Sequence, residues 1–164
     1  MKTRGLSGKE MELVSWLELE GKRFFTRSDA RRFFKNINEM NVYINRLKGK
    51  GRIVKLNRKK YYLVPIQAFR GHWAEHPFIV VDEIFNGKGY FIGGKAAAHY
   101  WGLIEQIPHE IDAYSTGRQG KRTVFSFAIR YRRTSKSNMR GFVRRKIKGH
   151  CFLIANKRRS VEWE

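Results

Sequence analysis

The polar side chains between Ile37 and Lys48, in INEMNVYINRLK, have the types and the spacing of a recognition surface. If this stretch is helical, the side away from its apolar residues carries Asn38, Val42, Asn45 and Arg46, with Asn41 at the margin and Lys48 in the last turn. An asparagine amide can both donate to and accept from adenine, and an arginine guanidinium can donate twice to guanine. Because asparagine is a mediocre helix former, three of them in one helix indicate a role in recognition rather than in helix stability.

A run of cations follows this stretch within a few residues. Two short β-type runs, RIVKL and KYYLV, are joined by residues Asn57 to Lys60 and predict a hairpin. The cations of this hairpin are Arg52, Lys55, Arg58, Lys59 and Lys60. Contacts from such side chains to phosphates give affinity and register but carry no sequence information. The alternative interpretation is that the charged hairpin and the polar helix face are simply solvated.

Two helices are predicted ahead of the polar stretch. Ser7 and Glu10 have the spacing of a capping box and predict a helix that ends at Gly21. A second cap, from Thr26 to Asp29, predicts a short helix that runs through Phe34.

The polar stretch itself is predicted to be a third helix, capped at Asn36–Glu39 and stopped by glycines at 49 and 51. Its buried stripe is formed by Ile37, Met40, Ile44 and Leu47. Glu39 serves as part of the cap or, facing DNA, is repelled by phosphate. Three helices followed by a two-stranded hairpin is the order of a winged helix-turn-helix, in which the third helix enters the major groove of double-stranded DNA. Such a protein can also bind DNA as a homodimer.

The charge balance favours a nucleic-acid partner. The 164 residues include 35 lysines and arginines against 14 acids, a net charge of +21, and 41% hydrophobic residues, enough to build a core. A membrane is not expected, because no apolar run approaches the roughly 20 residues of a spanning helix and no signal peptide opens the chain. The single cysteine, Cys151, excludes an intrachain disulfide and indicates a reducing, cytoplasmic setting.

The charge is unevenly distributed and suggests two domains. Basic segments at 1–64 and 118–164 flank a middle that has more acids than bases, and VPIQAFRG breaks the pattern near Pro65. We expect a winged helix-turn-helix DNA-binding domain at 1–65 and an α+β domain at 66–164. In the second domain we predict a helix at His76–Phe85, a strand, glycine turn and short helix over Tyr90–Leu103, and strands at HEIDAYST, TVFSFAIRYRR and GHCFLIAN. The predicted fold class is therefore α+β, with a small mixed α/β-sheet domain after the winged helix.

The order of these elements resembles the AbiEi-type antitoxins. The resemblance covers about Glu10 to Asn156 and is carried by the wing ending in YYLVP, by YFIGGKAAAHYWGL, and by the strand EIDAYST. The matching positions in the second of these motifs are Gly93, Gly94, Ala96, Ala97, Ala98, Gly102 and Leu103. The resemblance implies a DNA-binding autorepressor whose second domain counteracts a nucleotidyltransferase-like toxin encoded nearby.

Several other groups of residues could suggest chemistry, but each has a simpler interpretation. His72 and His76 are the one compact histidine pair, and Pro77 interrupts their helix, so we expect no metal site. The glycine–lysine runs at 87–89 and 93–95 lack the spacing of a phosphate loop. A nuclease carboxylate set could be imagined from Asp82, Glu83, Glu110 and Asp112, although acids at helix and strand ends are usually solvated. We expect no cofactor and no enzymatic activity, and Cys151 is interpreted as an inert core thiol.

A second basic region spans residues 118–150. It offers a second nucleic-acid surface formed by Arg130, Arg132, Arg144 and Arg145, or else the solvated face of a sheet. Two functions stay open at this point: a sequence-specific regulator that binds double-stranded DNA, and a basic RNA- or ribosome-associated binding protein.

Overall fold

The computed structural model describes residues 5–65, 68 and 75–162, and the chain divides into two compact units, residues 1–73 and 74–164. The predicted domain boundary after Pro65 stays a prediction, since residues 66, 67 and 69–74 lie outside the described part. Among the described helices, none is both long and apolar enough to cross a bilayer.

The first unit has the winged-helix order. Its elements are α1 (Gly8–Leu19), β1 (Phe24–Thr26), α2 (Arg27–Arg31), α3 (Ile37–Gly49), β2 (Ile53–Lys55) and β3 (Lys60–Leu63). The strands form an antiparallel sheet in the order β1-β3-β2. Strand β1, which is not apparent from the sequence, pairs with β3 and connects the segment before α2 to the wing. One cluster of apolar side chains holds the unit together; it includes Leu13, Leu17, Phe25, Met40, Ile44, Leu47 and Tyr61.

Local capping explains where these helices begin. The carboxylate of Glu10 accepts a hydrogen bond from the Ser7 N–H at 2.7 Å, and that of Asp29 accepts from the Thr26 N–H at 2.8 Å. The Asn36 side chain accepts from the Glu39 N–H at 2.8 Å. Each contact satisfies a backbone donor that the first turn of a helix leaves unpaired.

Two predictions for this unit were wrong. Helix α2 ends at Arg31 rather than running through Phe34, since the Phe33 and Phe34 N–H groups donate to carbonyls three residues back instead of four, at 3.1 and 3.2 Å. Ile37 is not part of the buried stripe and is 59% exposed. It is the first helical residue after the cap, and it lies outside the apolar cluster that buries Met40, Ile44 and Leu47.

The second unit is a six-stranded mixed sheet with helices. Its elements are α4 (Pro77–Phe85), β4 (Tyr90–Gly93), α5 (Gly94–Tyr100), β5 (Glu110–Ser115), β6 (Gly120–Val124), β7 (Phe127–Arg133), a 3-10 turn (Lys136–Asn138), β8 (Phe142–Ile147), β9 (His150–Ala155) and α6 (Lys157–Val161). The strand order is β6-β7-β5-β4-β9-β8, with parallel pairing in β4–β9 and β5–β7. Helix α4 packs on this sheet through aromatic contacts, such as Phe78 with Phe152 at 5.2 Å between ring centres. The α+β fold class is confirmed.

The turn from β4 into α5 requires its two glycines. A Cβ at Gly94 would lie 2.5 Å from the Asp112 carboxylate, and the backbone there has φ +59°. A Cβ at Gly93 would lie 2.7 Å from the Tyr114 ring. These positions therefore need glycine for space and, at Gly94, for the left-handed backbone conformation.

One strand prediction was wrong, one strand was missed, and one buried residue was misplaced. TVFSFAIRYRR is not one strand, because the chain turns at Phe125, which has φ +54°, and returns as β7. Phe127, Ile129 and Tyr131 are buried as predicted. Strand β8 was missed because three adjacent cations, Arg144 to Lys146, conceal the alternation of a strand at the sheet edge. Cys151 is half-buried rather than part of the core.

Candidate nucleic-acid interface

Helix α3 presents the predicted polar face to solvent. Asn38, Asn45, Arg46 and Lys48 are exposed, and they alternate with the buried Met40, Ile44 and Leu47 at helical spacing. Asn41 lies at the margin, half-buried, and its Oδ1 atom has no hydrogen-bond partner among the described residues. The structure therefore places the five predicted DNA-contacting residues of this stretch on one helix, and four of them are exposed to solvent.

The N-terminal end of α3 is held by Glu39. Its carboxylate accepts from the Lys35 N–H at 2.7 Å and pairs with the Lys9 ammonium from α1. The hydrogen bond from Lys9, together with that from the Lys35 backbone, lowers the pKa of Glu39 below its usual value. Glu39 thus completes a cap, and its charge is balanced by Lys9 at the end of the helix that would approach phosphates.

The C-terminal end of α3 is anchored by a buried ion pair that sequence reasoning missed. Lys50 follows the last helical residue and donates to the Glu10 carboxylate at 2.6 Å and to the Gly5 carbonyl at 2.8 Å. Glu10 is completely buried. Burial pushes its pKa upward, but the hydrogen bonds from Lys50 and Ser7 outweigh that effect and keep the pKa below the usual value. These contacts fix α3 against α1.

The wing presents its tip to solvent. The Asn57 side chain accepts from the N–H groups of Lys59 and Lys60 at 2.8 and 2.9 Å, which closes the turn and leaves Arg58 and Lys59 exposed. Lys55 is also exposed, while Lys60 is half-buried. The tip can therefore reach a phosphate backbone without rearranging the two strands.

Arg52 differs from the other predicted wing cations. Its side chain is 18% exposed, and its Nη2 atom lies 3.8 Å from the Glu18 carboxylate in α1. The structure therefore directs Arg52 toward the body of the first unit.

The second basic region is not one surface. Arg130 and Arg132 lie on β7 and are paired with Glu110 at 2.5 Å and Asp112 at 2.6 Å. Arg144 and Arg145 lie on β8, at the opposite edge of the sheet. Four strand spacings separate β7 from β8, about 19 Å at 4.8 Å per strand.

The four carboxylates imagined as a nuclease set do not form one group, although Asp82 and Glu83 lie close together. Glu110 and Asp112 hold the β7 arginines, whereas Asp82 accepts from the Tyr90 hydroxyl at 2.6 Å. Burial, together with the hydrogen bond to Asp82, raises the pKa of Tyr90. The arrangement is that of structural hydrogen bonds within the sheet unit.

One group of titratable side chains was missed by sequence reasoning. His150 lies 3.0 Å from Asp82 and 3.7 Å from Glu83, and the three ligand atoms lie within 4.8 Å of one another. The group joins a helix to a strand 68 positions further along the chain, so no local spacing could have revealed it. It is a candidate set of ligands for a cation. His72, of the predicted histidine pair, lies outside the described residues.

Comparison with known proteins identifies a solved structure with a similar fold. No protein-family model matches the chain, and no curated protein matches it. Among solved structures, the crystal structure of the RV2827C protein from Mycobacterium tuberculosis aligns with a TM-score of 0.56 at 15% sequence identity, over 82% of this chain. The chain spans about half of that protein's length, since the alignment covers 48% of it. The chain therefore has an α+β fold that is shared with this mycobacterial protein.

Proposed function

We propose that this protein is a sequence-specific regulator that binds double-stranded DNA and catalyses no reaction. The observation that carries this proposal is the exposed polar face of α3, held at both ends by Glu39 and Lys50 beside a basic wing. In this fold, α3 enters the major groove and the wing contacts the backbone, with base contacts giving specificity and phosphate contacts giving affinity. A homodimer on DNA would place two such helices in successive grooves.

A finer proposal is that the regulator is an autorepressing antitoxin. Its support is the resemblance to the AbiEi-type antitoxins, in the run from Tyr90 to Leu103 and the two glycines that the β4–α5 turn requires. In this proposal the second unit counteracts a nucleotidyltransferase-like toxin encoded nearby. Co-expression of that neighbour with the full chain, and with residues 66–164 alone, should relieve growth arrest. Rescue by neither would remove the antitoxin role and leave a DNA-binding regulator.

The DNA-binding proposal is tested by a competition titration of the full chain between genomic duplex fragments and structured RNA. A preferred duplex should be retained in the presence of excess RNA. Asn45→Ala or Arg46→Ala should then cost about 1–3 kcal/mol on that duplex and relax base preference, while binding to random duplex changes less. Asn138→Ala, an exposed asparagine in the second unit, is the matched control.

An RNA- or ribosome-associated role is the second candidate. It is favoured by the β8 edge, where Arg144 and Lys146 are exposed and form no ion pair with any described carboxylate. Preference for structured RNA over every duplex in the titration would favour this role and contradict the proposed regulator.

The Asn45→Ala variant also tests how α3 binds. An equal loss of affinity for the preferred duplex and for random duplex would mean that α3 contacts only phosphate.

A further inference from the structure

We propose that α3 reads A·T base pairs, with asparagine amides contacting adenine and two exposed apolar side chains contacting thymine methyl groups. This inference rests on the proposed DNA-binding function and names the base pairs that it selects. Ile37 and Val42 are the two residues that carry the methyl contacts.

Both side chains are exposed on a helix that buries its other large apolar residues. Ile37 is 59% exposed and Val42 is 47% exposed, whereas Met40, Ile44 and Leu47 are almost completely buried. A single exposed apolar residue needs no explanation. Val42 lies among asparagines on the side of α3 that faces away from the core, and Ile37 is exposed in the first turn of the helix, beyond the end of the core cluster, so that hydrocarbon lies beside amide at both places.

The spacing places each apolar side chain next to an amide. Ile37 and Asn41 are four residues apart, as are Asn38 and Val42, and residues at this separation are neighbours on a helix surface. All four lie in the first half of α3, the part of a recognition helix that contacts base edges. The Oδ1 of Asn41 is buried without a hydrogen-bond partner among the described residues, so turning the amide toward DNA would break no hydrogen bond of that atom and would give it a partner.

This combination is complementary to an A·T pair. In the major groove, adenine offers N7 and the N6 amino group, which one asparagine amide can bind at once. Thymine offers its C5-methyl group on the same edge, where an apolar side chain replaces water. A G·C pair has no methyl group and presents a different pattern of donors and acceptors.

The other side chains of α3 are poorly placed to bind a G·C pair that faces the first half of the helix. Cytosine is read by a carboxylate that accepts from its amino group, and the sole carboxylate of α3, Glu39, is engaged by Lys9 and the Lys35 N–H. Guanine is read by arginine or lysine, and those of α3, Arg46 and Lys48, are in its last turn. In the first half of the helix, the groups available for base contacts are therefore asparagine amides and apolar side chains.

The experiment begins with selection of sites by the full-length protein from a library of duplexes with a randomised core. The enriched core should contain A·T pairs. Each thymine is then replaced by deoxyuridine, which removes only the methyl group. At one or two positions binding should weaken about fourfold, which corresponds to about 0.8 kcal/mol for one methyl-sized group.

Variants assign the effect to particular side chains. Val42→Ala and Ile37→Ala should each abolish the thymine-over-uracil preference at one position, without lowering the melting temperature, because both side chains are exposed. Leu19→Ala, which changes a residue of α1 that is 86% exposed, is the matched control and should keep the full preference.

The results of the selection distinguish failure of A·T recognition from failure of sequence-specific DNA binding. If the wild-type protein enriches no sequence, the proposed sequence-specific function fails. An enriched site that lacks A·T pairs, or tolerates deoxyuridine everywhere, overturns this inference and leaves the regulator standing. A thymine preference that survives in both Val42→Ala and Ile37→Ala also overturns it, because the methyl groups would then be read elsewhere.

Discussion

Replacing Lys50 with methionine should destabilise the first unit far more than replacing its exposed neighbour Lys48. The Lys50 ammonium is the partner of the fully buried Glu10 carboxylate at 2.6 Å, and its own side chain is 18% exposed. Breaking a buried ion pair on one side costs about 3–5 kcal/mol, because the remaining charge stays buried without a partner. The partial exposure of Lys50 places the expected loss near the lower end, about 3 kcal/mol.

Hydrogen–deuterium exchange on the full-length protein measures this loss within the first unit alone. Amides in α1 and α3 that exchange through unfolding of the unit should exchange about 150-fold faster in Lys50→Met, the rate equivalent of about 3 kcal/mol. Peptides from β4 to β9 should be unchanged. Lys48→Met removes the same charge from an exposed side chain and should change these rates by less than about a factor of two.

Lowering the pH should reduce the difference in unfolding free energy between the wild-type protein and Lys50→Met. The folded-state pKa of Glu10 lies below its usual value, so its stabilising effect is present above about pH 4.3 and is lost as the pH falls through the folded-state pKa. Lys50→Met removes the partner that keeps this pKa low, and the penalty should shrink as Glu10 becomes protonated. The reasoning is refuted if Lys50→Met and Lys48→Met behave alike at neutral pH.

The remaining predictions concern caps, turns and the wing. Asn36→Ala should cost about 1 kcal/mol in chemical unfolding of the first unit, because the Glu39 N–H loses its acceptor; an unchanged midpoint would contradict the cap. Gly94→Ala should lower the melting temperature of the second unit, because its Cβ would lie 2.5 Å from a carboxylate oxygen at a backbone φ of +59°, and a wild-type melting curve would refute the close approach. Neutralising the wing-tip cations should reduce the slope of log K against log salt by up to about 2.7, at 0.9 per phosphate contact, whereas an unchanged slope would show that the tip never reaches DNA. The residues changed together are Arg58, Lys59 and Lys60.

Signals confined to a few residues were the ones that predicted the structure well. The caps at Ser7, Thr26 and Asn36 and the glycine turn before α5 depend on neighbours within about four positions, and they are where the sequence placed them. The buried alternation of Phe127, Ile129 and Tyr131 follows from the pleat of a strand, in the same way.

The incorrect and missed predictions concern features that depend on partners distant in sequence, or on a backbone conformation that the residue type does not indicate. Ile37 has the spacing of a core residue, but the core cluster does not extend to the first turn of α3. Phe125 sits in a left-handed conformation that is unusual for an aromatic residue, so nothing local marked that turn. The Glu10–Lys50 pair joins positions 40 apart, and the pairing of the β7 arginines with Glu110 and Asp112 depends on strand register.

The strand order of the second unit has a consequence for the time at which each unit becomes complete during synthesis. Every described strand of the first sheet has been made once Leu63 is added, and among the described residues these strands pair only with one another. In the second sheet, β4 cannot complete its pairing until β9 has been made. Strand β9 ends at Ala155 and lies between β4 and the edge strand β8.

Roughly 90 further residues separate these two events, which corresponds to about 5–18 s at 5–20 residues per second. Once β4 has been made within that interval, the nascent chain contains the whole winged helix, while β4 still lacks the strand that pairs with its second edge. The half-made second unit exposes unpaired strand edges in this period, and such edges are prone to aggregation. A ribosome that stalls between the two points would therefore carry a chain with a complete winged-helix unit and an incomplete second unit that is prone to aggregation.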